Sequence, residues 1–480
     1  MRIRLSLVLT LAAFGCSNNN GTRGVDTTPP GGNGADLATS TSGGGGDMGR
    51  NPGGPGGPGP DMALPGAPDD HSDGGVVGTL GDGGVFTPPP ADMGSVMHAP
   101  PGTLTGVTVL GAGTDFRDVS SDQGGGVWAN TSAAVYYFRG GATHTYSQSN
   151  GLAQGHTTWT DNYWCMGDGV PCPATWNVTF TSVAGGTAGE VVIGNIGFIA
   201  DRLNVDPASG AVQSVVGLQV TSTQQPDPTE LAAQQQREVA SWKVALDLNG
   251  PLAGTAYMGG WHGTSAFHGM TQSRTSGVCG QGCGDYEEHV HGFFNGGTQP
   301  GGRDVHALAI TAAGDLWMGD ADVISFIPQR SAGANADFFQ PVVIPGQPNA
   351  STLDVFPGVN DNTFGLALDA SGGIYVASHG NGLAYLTAGK YTPTYWTASD
   401  KLPSNYLTSV AVDNQGDVWI GTETAGVARF RPSGASWTYY TMASGLPSND
   451  IRAIYVDKYA TSGRTVYFAT DNGVGVYAGP

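Results

Sequence analysis

Residues 410–449 read VAVDNQGDVWIGTETAGVARFRPSGASWTYYTMASGLPSN, four short apolar runs separated by three turn-like clusters. Runs of this length bounded by Gly, Asn and Asp are the mark of strands joined by tight turns. Asp413-Asn414-Gln415-Gly416-Asp417 suits a hairpin, with Gly416 free to take positive φ. Val418-Trp419-Ile420 is apolar at three successive positions, as a short strand covered on both faces should be. Trp437-Thr438-Tyr439-Tyr440 reads as an outer strand, where aromatic rings fill a widening space.

The same pattern recurs along the chain. Apolar triplets stand at Val127-Trp128-Ala129, Val191-Val192-Ile193, Ala256-Tyr257-Met258, Leu316-Trp317-Met318, Ile374-Tyr375-Val376, Val418-Trp419-Ile420 and Val466-Tyr467-Phe468. A residue with a short side chain follows each, from Asn130 in the first to Ala469 in the last, which suits close backbone approach at the next turn. The triplet centres lie 64, 65, 60, 58, 44 and 48 residues apart, and a period near 45 with four strands per unit is the mark of a β-propeller with loop insertions. The fold class is therefore all-β, a seven-bladed β-propeller. The seventh copy stops after a third strand, Val474-Gly475-Val476-Tyr477, while 104–110 has no partner of its own. That N-terminal strand is expected to close the last blade and remove exposed edges.

Calcium is a second reading of the DNQGD turn. It lacks the rest of an EF-hand loop and has analogues in several copies, so a structural hairpin is expected.

The copies resemble the two-component regulator propeller repeat. Leu402-Pro403-Ser404-Asn405 and Leu446-Pro447-Ser448-Asn449 carry its turn, and Asp413, Gly416, Trp419, Ile420, Gly421 and Thr422 carry the hairpin and strand. Asn150-Gly151-Leu152-Ala153-Gln154 looks like a degenerate turn of the same kind. The resemblance is clearest over 360–480, weaker at 104–155 and faint at 156–350. It implies a domain of the kind that forms the external sensing part of hybrid histidine kinases. No kinase, DNA-binding or transmembrane segment is read before Pro480, so signalling is not implied.

Ahead of the repeats, residues 21–100 contain 23 Gly, 12 Pro and one aromatic, Phe86, with nine Asp against two Arg. Such a segment buries too little apolar surface to offset chain entropy, and 17–102 is expected to be a disordered linker before the propeller at 103–480. Residues 1–16 begin with Arg2 and Arg4, continue through an apolar run Leu5–Phe14 too short to span a bilayer, and end at Gly15-Cys16. They resemble a bacterial lipoprotein signal, with Ala13 where that family usually has Leu. The resemblance implies lipidation of Cys16, and Ser17 implies outer-membrane sorting. An ordinary secretory signal is the alternative. Export would make disulfides plausible among Cys165, Cys172, Cys279 and Cys283, in any of three connectivities. Zinc is the alternative there, and neither local spacing is the two-residue gap of a zinc knuckle.

With 39 acidic against 19 basic residues, the net charge of −20 argues against nucleic acid and against an anionic membrane surface. Attachment to a membrane is expected only through the lipid. No GxSxG elbow, HExxH or P-loop occurs, and no cofactor is expected.

Histidines are the best lead to a site. His262, His379 and Glu423 fall in turns between second and third strands, which open on the same face as the links between blades. His306 starts an innermost strand, aligned with Arg117, Trp242, Phe364, Thr408 and Arg452. Strand starts ring the central channel, so Arg117, Arg452 and the histidines could contact an anionic or sugar-like group. The plainer alternative is a ring that fills the channel or meets water. Glu287, Glu288, His289 and His291 could serve a metal, or could simply form an outer strand on a disulfide-pinned insertion. The expectation drawn is a monomer that binds a protein, peptide or glycan without catalysis. An enzyme, a lyase or hydrolase resembling the streptogramin lyases, and a purely structural envelope protein are the alternatives.

Overall fold

The computed structural model describes residues 95–152, 180–195, 200–218, 241–249, 253–260, 263–267, 288–291, 305–319, 323–327, 352–357, 363–460 and 463–479, with 77, 78, 344 and 346. All belong to one compact unit. Helical structure among them is limited to three short 3-10 turns. Ser241 and Trp242 begin a strand, Ser241–Leu246.

Among the described residues the strands form seven sheets, numbered in chain order and antiparallel except for one edge pairing in the fourth. The sixth holds Leu407–Val412, Val418–Thr422, Val427–Arg431 and Ser436–Tyr440, as the opening stretch predicts. Every apolar triplet lies in the second strand of its sheet. The seventh sheet has three strands of its own, Ile451–Val456, Arg464–Thr470 and Gly473–Gly479. Its fourth place is taken by Thr108–Leu110, with Thr108 opposite Val476 and Leu110 opposite Val474.

Successive sheets pack through their first strands. The first strand of the seventh sheet in turn lies against Asp118–Ser121, the first strand of the first sheet. Ser121 Oγ donates across that junction to Asp457 Oδ1 at 3.0 Å. Each junction contains its own hydrophobic cluster, from Trp128 with Ile193 between the first two sheets to Val119 with Tyr467 between the first and seventh.

This packing explains the triplets. Successive strand residues point to opposite faces. Val418 and Ile420 enter the cluster shared with the fifth sheet, while Trp419 enters the one shared with the seventh. Both faces are covered, so all three positions are apolar. The short residue after the triplet has a different cause from the one expected. A Cβ on Gly421 would sit 2.8 Å from the Ile451 side chain, and one on Gly319 would sit 2.5 Å from Thr363. The constraint comes from the neighbouring sheet, not from the following turn.

The DNQGD hairpin is structural. Asp413 Oδ1 accepts from the backbone N–H of Gln415 and Asp417 at 2.9 and 3.0 Å, and Oδ2 accepts from Trp419 Nε1 at 2.8 Å. Gly416 has φ of 80°. Asp122 and Asp369 cap the matching turns of the first and fifth sheets in the same way.

Two pieces of the Gly/Pro-rich region take part in the fold. Val77–Gly78 pairs in parallel with Thr352–Leu353 at the edge of the fourth sheet. Residues 95–104 run along the sixth, where the Val96 N–H donates to the Pro403 carbonyl at 2.8 Å and the Gly102 N–H to that of Tyr439 at 2.7 Å. Packed structure thus starts ahead of Thr103. Cys16, Cys165, Cys172, Cys279 and Cys283 lie outside the described residues, as does His262.

Candidate functional site

The first strand of most sheets carries an irregularity at its second residue. Register shifts flank Thr181, Trp242, Phe364, Thr408 and Arg452, each of which is the extra residue of a bulge. A bulge leaves one residue unpaired and re-aims its side chain. Arg117 and His306 occupy the matching place just before their strands, their N–H groups donating to the carbonyls of Asn130 and Gly319. All seven are half-exposed, and those in every sheet but the third lie between buried neighbours. The sequence alignment found six of the seven. It missed Thr181, which like Arg117, His306, Phe364 and Thr408 stands eleven residues before the triplet centre, a spacing that marks it out.

These side chains form two arcs. Along the aromatic arc, Trp242 lies 6.0 Å from His306 between ring centroids, and His306 lies 5.3 Å from Phe364. Phe364 meets His379 edge-on at 5.2 Å and 87°, and His379 meets Tyr406 at 5.2 Å and 66°. Glu423 ends this arc, with its Oε2 3.4 Å from His379 Nε2. The strand-turn geometry brings His379 and Glu423 together because the Glu423 N–H donates to the Tyr406 carbonyl and His379 bridges Tyr406.

The second arc is charged. Arg452 Nη2 pairs with Asp450 at 2.8 Å, and its Nε lies 4.0 Å from Asp115. Arg117 feels both Asp115 and Arg452, and burial lowers its pKa. Asp115, Tyr406 and Asp450 each stand two residues before a ring residue, which on extended backbone places them on the same side. The sequence reading missed all three, although this offset was legible.

Burial raises Asp450 to about 6, helped by the charges of Asp471, Asp115 and Glu423 and opposed by Arg452. Asp450 Oδ1 is buried and accepts no hydrogen bond among the described residues. Burial also lowers His306 to about 4, which leaves its ring neutral at physiological pH. Thr408 is committed elsewhere: its hydroxyl donates to the Ile451 carbonyl at 2.5 Å and ties the sixth sheet to the seventh.

Glu288–His291 forms the outer strand of the third sheet, opposite Gly263–Ala266. No group of three metal-capable side chains is found among the described residues. No helix among them is long and apolar enough to cross a membrane.

Residues 401–424 match the family profile described as two component regulator propeller, so the chain carries that repeat. No curated protein matches it. Among solved structures it is similar to the extracellular domain of the one component system BT4673 from B. thetaiotaomicron, at 13% identity and TM-score 0.45, over 78% of this chain and 40% of that one. It is similar to the extracellular domain of the hybrid two component system BT3049 from the same organism at 15% and 0.47, over 78% and 42%. The WD40 β-propeller domain of Doa1 aligns at 11% and 0.45, over 78% and 97%. The chain thus spans about two fifths of the length of the two extracellular domains.

Proposed function

We propose that this chain is a seven-bladed propeller, closed by its 108–110 strand, that binds a ligand without catalysis at the mouth of its central channel. The ligand-contacting residues are Arg117, Trp242, His306, His379, Glu423 and Arg452, joined by Phe364, Tyr406 and Asp450. The cell envelope is the place of display, with residues 1–16 as signal, a lipid on Cys16 and the Gly/Pro-rich region as a stalk. The ligand is a protein, peptide or glycan.

One observation carries this reading. Five bulges and two strand starts turn a side chain out at the same place in all seven sheets, and ring contacts join three of those side chains to loop residues of the fifth and sixth. Bulges cost ladder hydrogen bonds, and a scaffold alone has little use for five in register. A catalytic reading has one support, the His379–Glu423 contact at 3.4 Å, since such a pair can move a proton.

Peptide and oligosaccharide arrays probed with the purified chain test both. Retention that is lost in the Phe364→Ala, His379→Ala double variant, with the retained compound recovered at unchanged mass, is the expected result. Recovery at altered mass overturns the non-catalytic reading. Retention unaffected by the double variant overturns the site.

A further inference from the structure

We infer that the mouth selects a cationic group, the ammonium or guanidinium at the tip of a partner peptide's side chain. This deepens the proposed ligand site and rests on it.

The aromatic arc supplies the first argument. Aromatic faces attract cations through the ring quadrupole. Phe364, His379 and Tyr406 stand at steep mutual angles, 87° and 66°, so they act as adjoining walls and not as one flat platform. Tyr406 is 39% exposed, unusual for a large ring in this fold.

The carboxylates supply the second. Glu423 touches the end of the aromatic arc, and its side chain is 45% exposed. Asp450 presents a buried Oδ1 with no donor among the described residues, while its other oxygen holds Arg452.

Charge balance supplies the third. Three carboxylates, Asp115, Glu423 and Asp471, act on a fourth, Asp450, which pairs with Arg452, while Arg117 feels Asp115. Asp450 and Asp115 already flank Arg452, and Asp115 acts on Arg117. The surplus is therefore negative, and its field attracts an incoming cation. The sequence alone suggests otherwise, an anionic or sugar-like group contacted by the two arginines and the histidines. That suggestion loses its basis once both arginines are seen to have acidic neighbours.

Titration calorimetry of the full chain, at near-neutral pH and physiological salt, tests this with four end-blocked pentapeptides. Each has glycine around one central residue, which is lysine, arginine, glutamate or norleucine. The lysine or arginine peptide should bind about tenfold tighter than norleucine, the scale of one desolvated cation–aromatic contact. Which of the two binds better tells ammonium from guanidinium. The Glu423→Gln, Asp450→Asn double variant should lose that preference while its melting remains cooperative. Glutamate binding as well as lysine, or no discrimination among the four, overturns the inference. If array compounds still depend on Phe364 and His379 in that event, the ligand site itself stands. A cation preference that survives both this variant and Phe364→Ala places the cation elsewhere and overturns both.

Discussion

Arg464→Met is a sharp test of what binds the sixth sheet to the seventh. Arg464 begins the second strand of the seventh sheet, and its side chain is 2% exposed. It reaches across to the DNQGD hairpin, where Nη1 contacts Asp413 and lies 2.7 Å from Asp417, and Nη2 contacts Gln415. Removing one partner of a buried ion pair costs about 3–5 kcal/mol, because it strands a charge away from water. The low end applies here. Asp413 keeps the Trp419 indole and two backbone N–H groups, and Asp417 keeps Arg429 and Arg431. At about 2.1 cal/mol/K per residue over a unit of roughly 380 residues, a loss of ~3 kcal/mol lowers Tm by about 4 °C. Burial pushes the Asp417 carboxyl up, but hydrogen bonds from Arg431, Arg464 and Arg429 outweigh it and hold it well below its ordinary 3.8. A depressed carboxylate gives stability that is present above its unfolded value and lost as pH falls through the folded one. The deficit of the variant should therefore be full at neutral pH and shrink in acid below about pH 4. Adding Asp413→Asn removes the stranded charge, so the double variant should melt above the single. Calorimetric melts from pH 3 to 7 check this. A single variant within about 1 °C of wild type at pH 7, or a double variant below the single, refutes the reasoning.

Deleting residues 103–111 removes the strand that completes the seventh sheet and opens an edge beside Gly473–Gly479. Cooperative melting should be lost, and an unchanged transition in calorimetry would contradict ring closure. Asp450 is raised from 3.8 to about 6, so its contribution to stability is full below 3.8 and lost as pH rises through 6. Asp450→Asn should accordingly be more stable than wild type at pH 7 by roughly 1–2 kcal/mol, with the difference gone near pH 4; denaturant titrations at the two pH values measure it. Mass spectrometry of the mature protein should find Cys16 acylated, and an unmodified cysteine removes the anchor from the proposal.

Much of the fold is legible because it is written locally. The triplets and the Asp/Gly turns are read from residues close in sequence, and both appear where expected. The ring residues were legible too, because their offset from the triplet repeats. Thr408 shows where such alignment stops. It occupies the ring position, yet its hydroxyl serves the neighbouring sheet, a fact set by a carbonyl 43 residues away.

The sequence by itself determined the all-β unit of short strands and its repetition along the chain. Hydrophobic period and turn chemistry depend only on near neighbours, and those the chain specifies directly. Tertiary structure decided what faces what. It brought Phe364, His379, Tyr406 and Glu423 together from two neighbouring sheets, and set Asp115 and Asp450 beside Arg452. The electrostatic sign of the mouth followed from that pairing, because a charge acts through the groups packed around it and these come from opposite ends of the folded region.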